Sequence, residues 1–228
     1  MIFLENVTKT FPTGSSALVD LSIQIDSGEF VFLVGPSGSG KTTFLRLLIA
    51  DMMPSTGVIR VGNFEVSKLS KGKIPQLRKK IGVVFQDLKM LMDRTVMENI
   101  ILPLEMANID KKTARKNVEE ILDQVGILEH KDKFPIQLSG GELQRAAIAR
   151  ALIFSPEILL ADEPTGNLDM TTSWEIIKLL QDINKTGTTV IMATHNTDIV
   201  DNLLKRVIVL NKGQVSKDTK KKDETQKD

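Results

Sequence analysis

Phe30-Val31-Phe32-Leu33-Val34 runs directly into Gly35-Pro36-Ser37-Gly38-Ser39-Gly40-Lys41-Thr42, and then into Thr43-Phe44-Leu45-Arg46-Leu47-Leu48-Ile49. The first five residues are apolar throughout, as in a strand buried on both faces of a parallel sheet. The next eight match G-x-x-x-x-G-K-[ST] at every fixed position, and the last seven read as a helix. Glycines are needed because the chain must wrap a phosphate, aiming successive backbone N–H groups inward with no Cβ in the way. The helix that follows adds its unpaired amides and the positive end of its dipole. Lys41 can reach the β- and γ-phosphates, and the Thr42 hydroxyl can ligate Mg²⁺. Strand, loop and helix in this order predict a nucleoside triphosphate site built on Ser37, Gly38, Ser39, Gly40, Lys41, Thr42 and Thr43.

Three similar apolar runs follow, Ile158 to Ala161, Val190 to Ala193 and Val207 to Leu210, with helical patterns between them. Ala114, Val118, Ile121, Leu122 and Val125 recur at helical spacing before a stop at Gly126. Strands alternating with helices predict an α/β fold, a P-loop NTPase with a parallel core. Three early segments, 3–7, 21–25 and 58–61, are short, and the last two partly alternate, so they predict an N-terminal antiparallel β subdomain. Residues 87–156 look mainly helical, an α-helical subdomain inserted between core segments 1–86 and 157–212. The tail, 213–228, holds one aliphatic residue, Val215, among five lysines and four acids. Such a segment is expected to be disordered, because it buries too little surface to offset the entropy of ordering.

Lys+Arg (30) and Asp+Glu (29) nearly cancel, so no global field favours nucleic acid. The absence of cysteine excludes disulfides, thiolate metal sites and a cysteine nucleophile. The first residues lack a basic n-region and a long apolar run, so no signal peptide is expected. No stretch approaches the ~20 apolar residues that span a bilayer. A membrane role would therefore need a separate anchoring subunit.

The run Ile158-Leu159-Leu160-Ala161 ends in Asp162-Glu163. Successive strand side chains point to opposite faces, so the two carboxylates serve different tasks. Asp162 is assigned to the metal through its water shell, and Glu163 to polarising the attacking water. Alone, two acids at a strand end suit a surface turn equally well; beside a phosphate loop they point to triphosphate hydrolysis.

Leu138-Ser139-Gly140-Gly141-Glu142-Leu143-Gln144-Arg145 reads as a second helix N-terminus, with Ser139 as hydroxyl cap and glycines admitting an anion. With the phosphate loop present, it resembles the LSGGQ signature of the ATP-binding cassette family, with Glu142 for the usual Gln. The resemblance covers residues 1 to 212 and implies a RecA-like core binding ATP and Mg²⁺. It also implies a homodimer formed on ATP binding, in which Ser139, Gly140, Gly141 and Glu142 act in trans on the partner's nucleotide. By the same resemblance Phe11 stacks on adenine, although a strand-end core Phe is the competing reading. Gln86 meets Mg²⁺ and the attacking water, Asp169 in Gly166-Asn167-Leu168-Asp169 crosses the dimer interface, and His195 contacts the γ-phosphate. His130 has no such position and reads as an ordinary satisfied or solvated histidine.

Residues 85–91, 95–100, 173–176 and Met192-Ala193-Thr194-His195-Asn196 resemble the family's bacterial cell-division group, whose ATPase pairs with an integral membrane subunit. Cassettes of lipoprotein release and macrolide export share much of this pattern. The resemblance places the chain at the cytoplasmic face of the membrane, with the partner docking near Gln86 to Met92. Flexible methionines at 90 and 92 suit such a groove, or equally a packed core. Trp174 reads as a packing residue.

Overall fold

The computed structural model describes residues 1–222. In chain order its elements begin with strands β1 (Ile2–Thr10), β2 (Ser16–Ile25) and β3 (Phe30–Val34), then helix α1 (Lys41–Leu48), β4 (Thr56–Val61), β5 (Phe64–Glu65), α2 (Ile74–Lys79) and β6 (Ile81–Val84). Three helices follow, α3 (Val96–Met106), α4 (Lys111–Gln124) and α5 (Gly140–Leu152). The last part alternates: β7 (Ile158–Asp162), α6 (Met170–Lys185), β8 (Thr189–Thr194), α7 (Thr197–Leu203), β9 (Arg206–Asn211) and β10 (Gln214–Asp218).

Two sheets result. The order β2-β1-β4-β5 is wholly antiparallel, as the early alternation predicts. The larger sheet runs β10-β9-β3-β8-β7-β6, parallel except where β10 joins its edge. The continuous apolar runs are explained by two cores, one on each face of this sheet. Phe30 and Phe32 of β3 pack into the core shared with α3 to α6, whereas Val31 and Leu33 pack into the core shared with α1 and the antiparallel sheet. β7 and β8 alternate the same way: Leu159, Ala161, Val190 and Met192 face the first core, and Ile158, Leu160, Ile191 and Ala193 the second. Each large aliphatic side chain so buried contributes about 1.5–3 kcal/mol. No helix among the described residues is long and apolar enough to cross a membrane.

One expectation is overturned. The tail from residue 213 does not begin as a disordered segment: Gln214–Asp218 pair antiparallel with β9, and Thr219–Lys222 form a 3₁₀ turn. Residues 223–228 lie outside the described residues. Composition misleads here because the strand is held by ladder hydrogen bonds and charge rather than by apolar burial. The Arg206 guanidinium donates to both Asp218 oxygens, at 3.0 and 2.8 Å, and to Glu29 at 2.8 Å. Losing one partner of such a buried pair costs about 3–5 kcal/mol. The turn before β10 also braces the phosphate loop, because Gly213 N donates to Ser39 O at 3.1 Å.

Candidate active site

Ligands of open parallel sheets bind at the carboxyl ends of the strands. Here β3 ends at the phosphate loop, β7 at Asp162 and Glu163, β8 at His195 and β6 just before Gln86. Adjacent strand positions bring these ends together. One cavity of about 640 Å³ is lined by Ser37 to Thr43, Gln86, Asp162, Glu163, His195 and, from the antiparallel sheet, Phe11. Every residue expected to meet ATP or its metal within one subunit therefore faces a single space. Phe11 lies just past β1, partly buried and outside both cores, so the core reading of this residue is set aside.

The loop is tightly built. A Cβ on Gly35 would lie 2.2 Å from Leu210 O, so only glycine fits against β9. Gly40, the N-cap of α1, supplies no side-chain cap, whereas α3, α4, α5 and α6 are capped by Thr95, Asp110, Ser139 and Asp169. The first amides of α1 are thus left for an anion. Lys41 is nearly buried, its Nζ donating to Gly35 O at 2.7 Å and Pro36 O at 3.2 Å. Ser39 Oγ is buried with no hydrogen-bond partner among the described residues.

The paired acids have different partners, but strand alternation is not what separates them: β7 ends at Asp162, Glu163 lies just beyond it, and both line the same cavity. Asp162 Oδ2 accepts from the Thr42 hydroxyl at 2.9 Å. Glu163 Oε1 stands 2.9 Å from His195 Nδ1. Glu163 holds a left-handed backbone, φ 51°, with its N–H donating to Ala193 O. Non-glycine residues keep such a conformation only where the surroundings over-determine it. Direct Glu163–His195 contact goes beyond the sequence reading, which gave the two residues separate tasks.

The signature lies at the start of α5. Ser139 caps the helix through Glu142 N, and Glu142 Oε2 accepts from Ser139 N at 2.7 Å, a capping box. Gly141 has a reason within its own chain: a Cβ there would meet Thr172 Cγ2 of α6 at 2.6 Å. Asp169 caps α6 through Thr172 N at 3.0 Å. A cleft of about 300 Å³ is shared by Ser139 to Glu142 and Asn167 to Asp169, so the signature and the segment ending at Asp169 border one surface. His130 is neither free nor merely solvated, because its Nε2 lies 2.8 Å from Glu142 Oε1.

The family model described as ABC transporter matches residues 18–166. The cell division ATP-binding protein FtsE of Mycobacterium tuberculosis is 49% identical over 96% of this chain and 95% of its own. Its counterpart in Escherichia coli is 42% identical over 94% of this chain and 97% of its own. The chain belongs to the ABC transporter family. Among solved structures, a dimeric ATP-binding cassette in a post-hydrolysis state with ADP and Pi superposes with a TM-score of 0.87 at 36% identity, covering 96% of this chain and 97% of that one. CbiO1 of Clostridium perfringens, part of an ABC transporter complex, superposes with a TM-score of 0.88 at 32% identity, covering 99% and 90%. As an ABC ATPase the chain hydrolyses ATP with Mg²⁺, and the residues present fit that pair. The uncapped α1 amides, the orphaned Ser39 hydroxyl and the glycine-lined turn suit phosphate oxygens. Adjacent hydroxyl and carboxylate oxygens of Thr42 and Asp162 suit a hard cation.

Asp162 carries the electrostatic cost of this ABC site. Burial pushes its carboxyl above the usual range and Glu163 adds to the rise, while the Thr42 hydrogen bond and Lys41 oppose it. A carboxyl that holds its proton more tightly when folded contributes stability at low pH that is lost as pH rises through its folded pKa. Asp162→Asn is therefore expected to raise the Tm of the nucleotide-free protein at pH 8. The difference should shrink as pH falls, and Mg·ATP should stabilise the parent more than the variant. Thermal melts from pH 5 to 8 check this; a variant less stable than the parent at pH 8 would contradict it.

Two polar residues with hydrogen bonds to the segment after Gln86 escape a motif search in this ABC cassette. Asn99, buried in α3, donates to Leu91 O, Arg94 O and Thr95 O and accepts from Leu91 N, so it shapes the segment after Gln86. Arg150, in the last turn of α5, donates to Leu88 O and Lys89 O. A polar residue on an otherwise apolar helix face is the one sequence signal for either. In the stretch they hold, Leu88 and Met90 pack against the core, whereas Met92 is exposed. Trp174 packs on the same core, as its sequence context suggests.

Proposed function

We propose that this chain is the ATP-hydrolysing subunit of a bacterial cell-division complex of the FtsE type, working as a homodimer on an FtsX-like integral membrane subunit. The observation that supports this reading best is the near-complete, mutual coverage of the FtsE relatives at 42% and 49% identity. Residues 1–218 act as one nucleotide-binding domain, with helices 87–156 as its movable part. The chain works at the cytoplasmic face, held there by its partner.

In this reading each ATP lies between Lys41 of one subunit and Ser139 of the other, with Phe11 against adenine. Mg²⁺, when bound by Thr42, Asp162 and Gln86, offsets the charge of the β- and γ-phosphates. Glu163 orients a water for attack on the γ-phosphorus and takes its proton, while the bond to the β-phosphate oxygen breaks to leave ADP and phosphate. His195, set against Glu163, holds a γ-phosphate oxygen. Asp169 carries the state of one site across to the other subunit.

Gln86 also borders a second, larger cavity of about 890 Å³ lined by Arg46, Arg78, Phe85, Lys89, Phe154 and others. That groove receives the cytoplasmic segment of the membrane partner, so closure of the dimer moves the partner through Gln86, which lines both spaces together with Thr42 and Asp162. Under this reading the output is a mechanical signal to cell-wall hydrolases, with no cargo moved. Co-purification of the native complex from its own cells is the test. An integral membrane subunit of the division type is expected; a lipoprotein-release or exporter permease in its place would replace this reading with a transport motor.

A further inference from the structure

Helix α5 begins at the signature and carries Arg150 in its last turn. The Arg150 guanidinium is partly buried and pairs with no carboxylate among the described residues. A shielded cation without a counter-ion is costly unless its donors are well satisfied. Here they are satisfied by backbone: Nη1 donates to Lys89 O at 2.7 Å, and Nη2 donates to Leu88 O. Leu88 and Lys89 are themselves consecutive non-glycine residues in the left-handed region, at φ 55° and 51°. Two unfavourable features thus meet and support each other, which is how strain persists in a fold.

The residues just before this clamp are the ones that matter for chemistry. Leu88 N donates to Phe85 O at 3.0 Å, closing a turn whose central residues are Gln86 and Asp87. Gln86 faces the nucleotide cavity on one side and the larger groove on the other. The helix can come this near because β6 has glycine at position 82, where a Cβ would lie 2.3 Å from Ala151 O.

We propose that Arg150 is a positioning residue: by holding the carbonyls of Leu88 and Lys89 it fixes Gln86 at the nucleotide and locks the groove wall to the signature helix. Displacement of α5 and displacement of the 86–89 turn are then one movement. A lysine cannot replace it, because an ammonium is a point charge and a planar fork is needed to span two neighbouring carbonyls. This inference rests on the reading that Gln86 serves the nucleotide site.

The test compares ATP turnover and nucleotide affinity of the full chain in the parent, Gln86→Ala, Arg150→Lys, the double variant of these two, and Arg150→Lys combined with Lys89→Gly. Arg150→Lys should lower kcat about tenfold while ATP affinity stays within about twofold, because a reacting group is misplaced and the phosphate loop is untouched. The double variant should match Gln86→Ala alone, the non-additivity of residues acting through one another. Lys89→Gly should restore part of the lost kcat, because glycine keeps a positive φ unaided. In brief trypsin digestion Arg150→Lys should be cut after Lys89 several-fold faster than the parent, with other sites unchanged. Parent-like turnover in Arg150→Lys overturns the inference, as does a loss fully additive to that of Gln86→Ala. So does a loss of ATP affinity with general proteolysis, which marks a mere fold defect. If Gln86→Ala itself turns over at the parent rate, the role given to Gln86 falls first and this inference with it; if Gln86→Ala is slow and Arg150→Lys is not, only the inference falls.

Discussion

Glu163→Gln should retain ATP affinity within about twofold while hydrolysis falls on the order of 10²-fold or more, as expected when a group acting on the reacting water loses its basicity. The amide keeps the shape of the side chain, so the left-handed turn at φ 51° and the approach of His195 to position 163 survive. What disappears is the proton acceptor. Because hydrolysis reopens the proposed dimer, the same variant with ATP and Mg²⁺ should sediment as a dimer where the nucleotide-free protein does not. Single-turnover hydrolysis and sedimentation velocity on one preparation check both. Near-normal turnover sinks the role given to Glu163, and a species that stays monomeric at high protein and ATP concentrations counts against the signature acting in trans.

Lys41→Ala should weaken ATP binding by about 10²-fold or more. Charge-assisted hydrogen bonds to phosphate contribute about 1.5–3 kcal/mol each, and each 1.4 kcal/mol is a factor of ten. Lys41 also closes the loop on itself through Gly35 O and Pro36 O, so its loss relaxes the cradle as well as removing the cation. The fold should survive, because α1 is anchored by Phe44, Leu45, Leu47 and Leu48 in the second core and not by its first residue. Titration with a fluorescent ATP analogue, beside a thermal melt, separates the two effects. Affinity within about threefold of the parent, outside the range expected for a lost phosphate contact, would show that Lys41 does not reach the phosphates.

The cis half of the candidate site was legible because its residues cluster in short, ordered segments at strand ends. Gly35 to Thr42, Asp162–Glu163 and His195 each follow an apolar run, and parallel pairing of those runs forces the three ends together. What stayed hidden depends on contacts between segments far apart in sequence. His130 looks ordinary until α5 brings Glu142 against it. Arg150 is one more helical arginine until the turn after β6 is found beneath it, 61 residues away in the chain for its bond to Lys89. The tail misled for the same reason. Its composition predicts too little apolar burial to fold, yet Arg206 and Glu29 sit where they can neutralise Asp218 and Lys220.

Periodicity and motif spacing therefore determined the α/β class, the parallel core, the antiparallel entry and the triphosphate site, because each depends on neighbours within a few residues. Tertiary structure alone decided the two-sided core, the pairing of Glu163 with His195, the ordered β10 and the clamp at Leu88–Lys89. Those features are set by which surfaces meet across the fold, and a charge or a strained turn becomes affordable only when a distant partner is already in place.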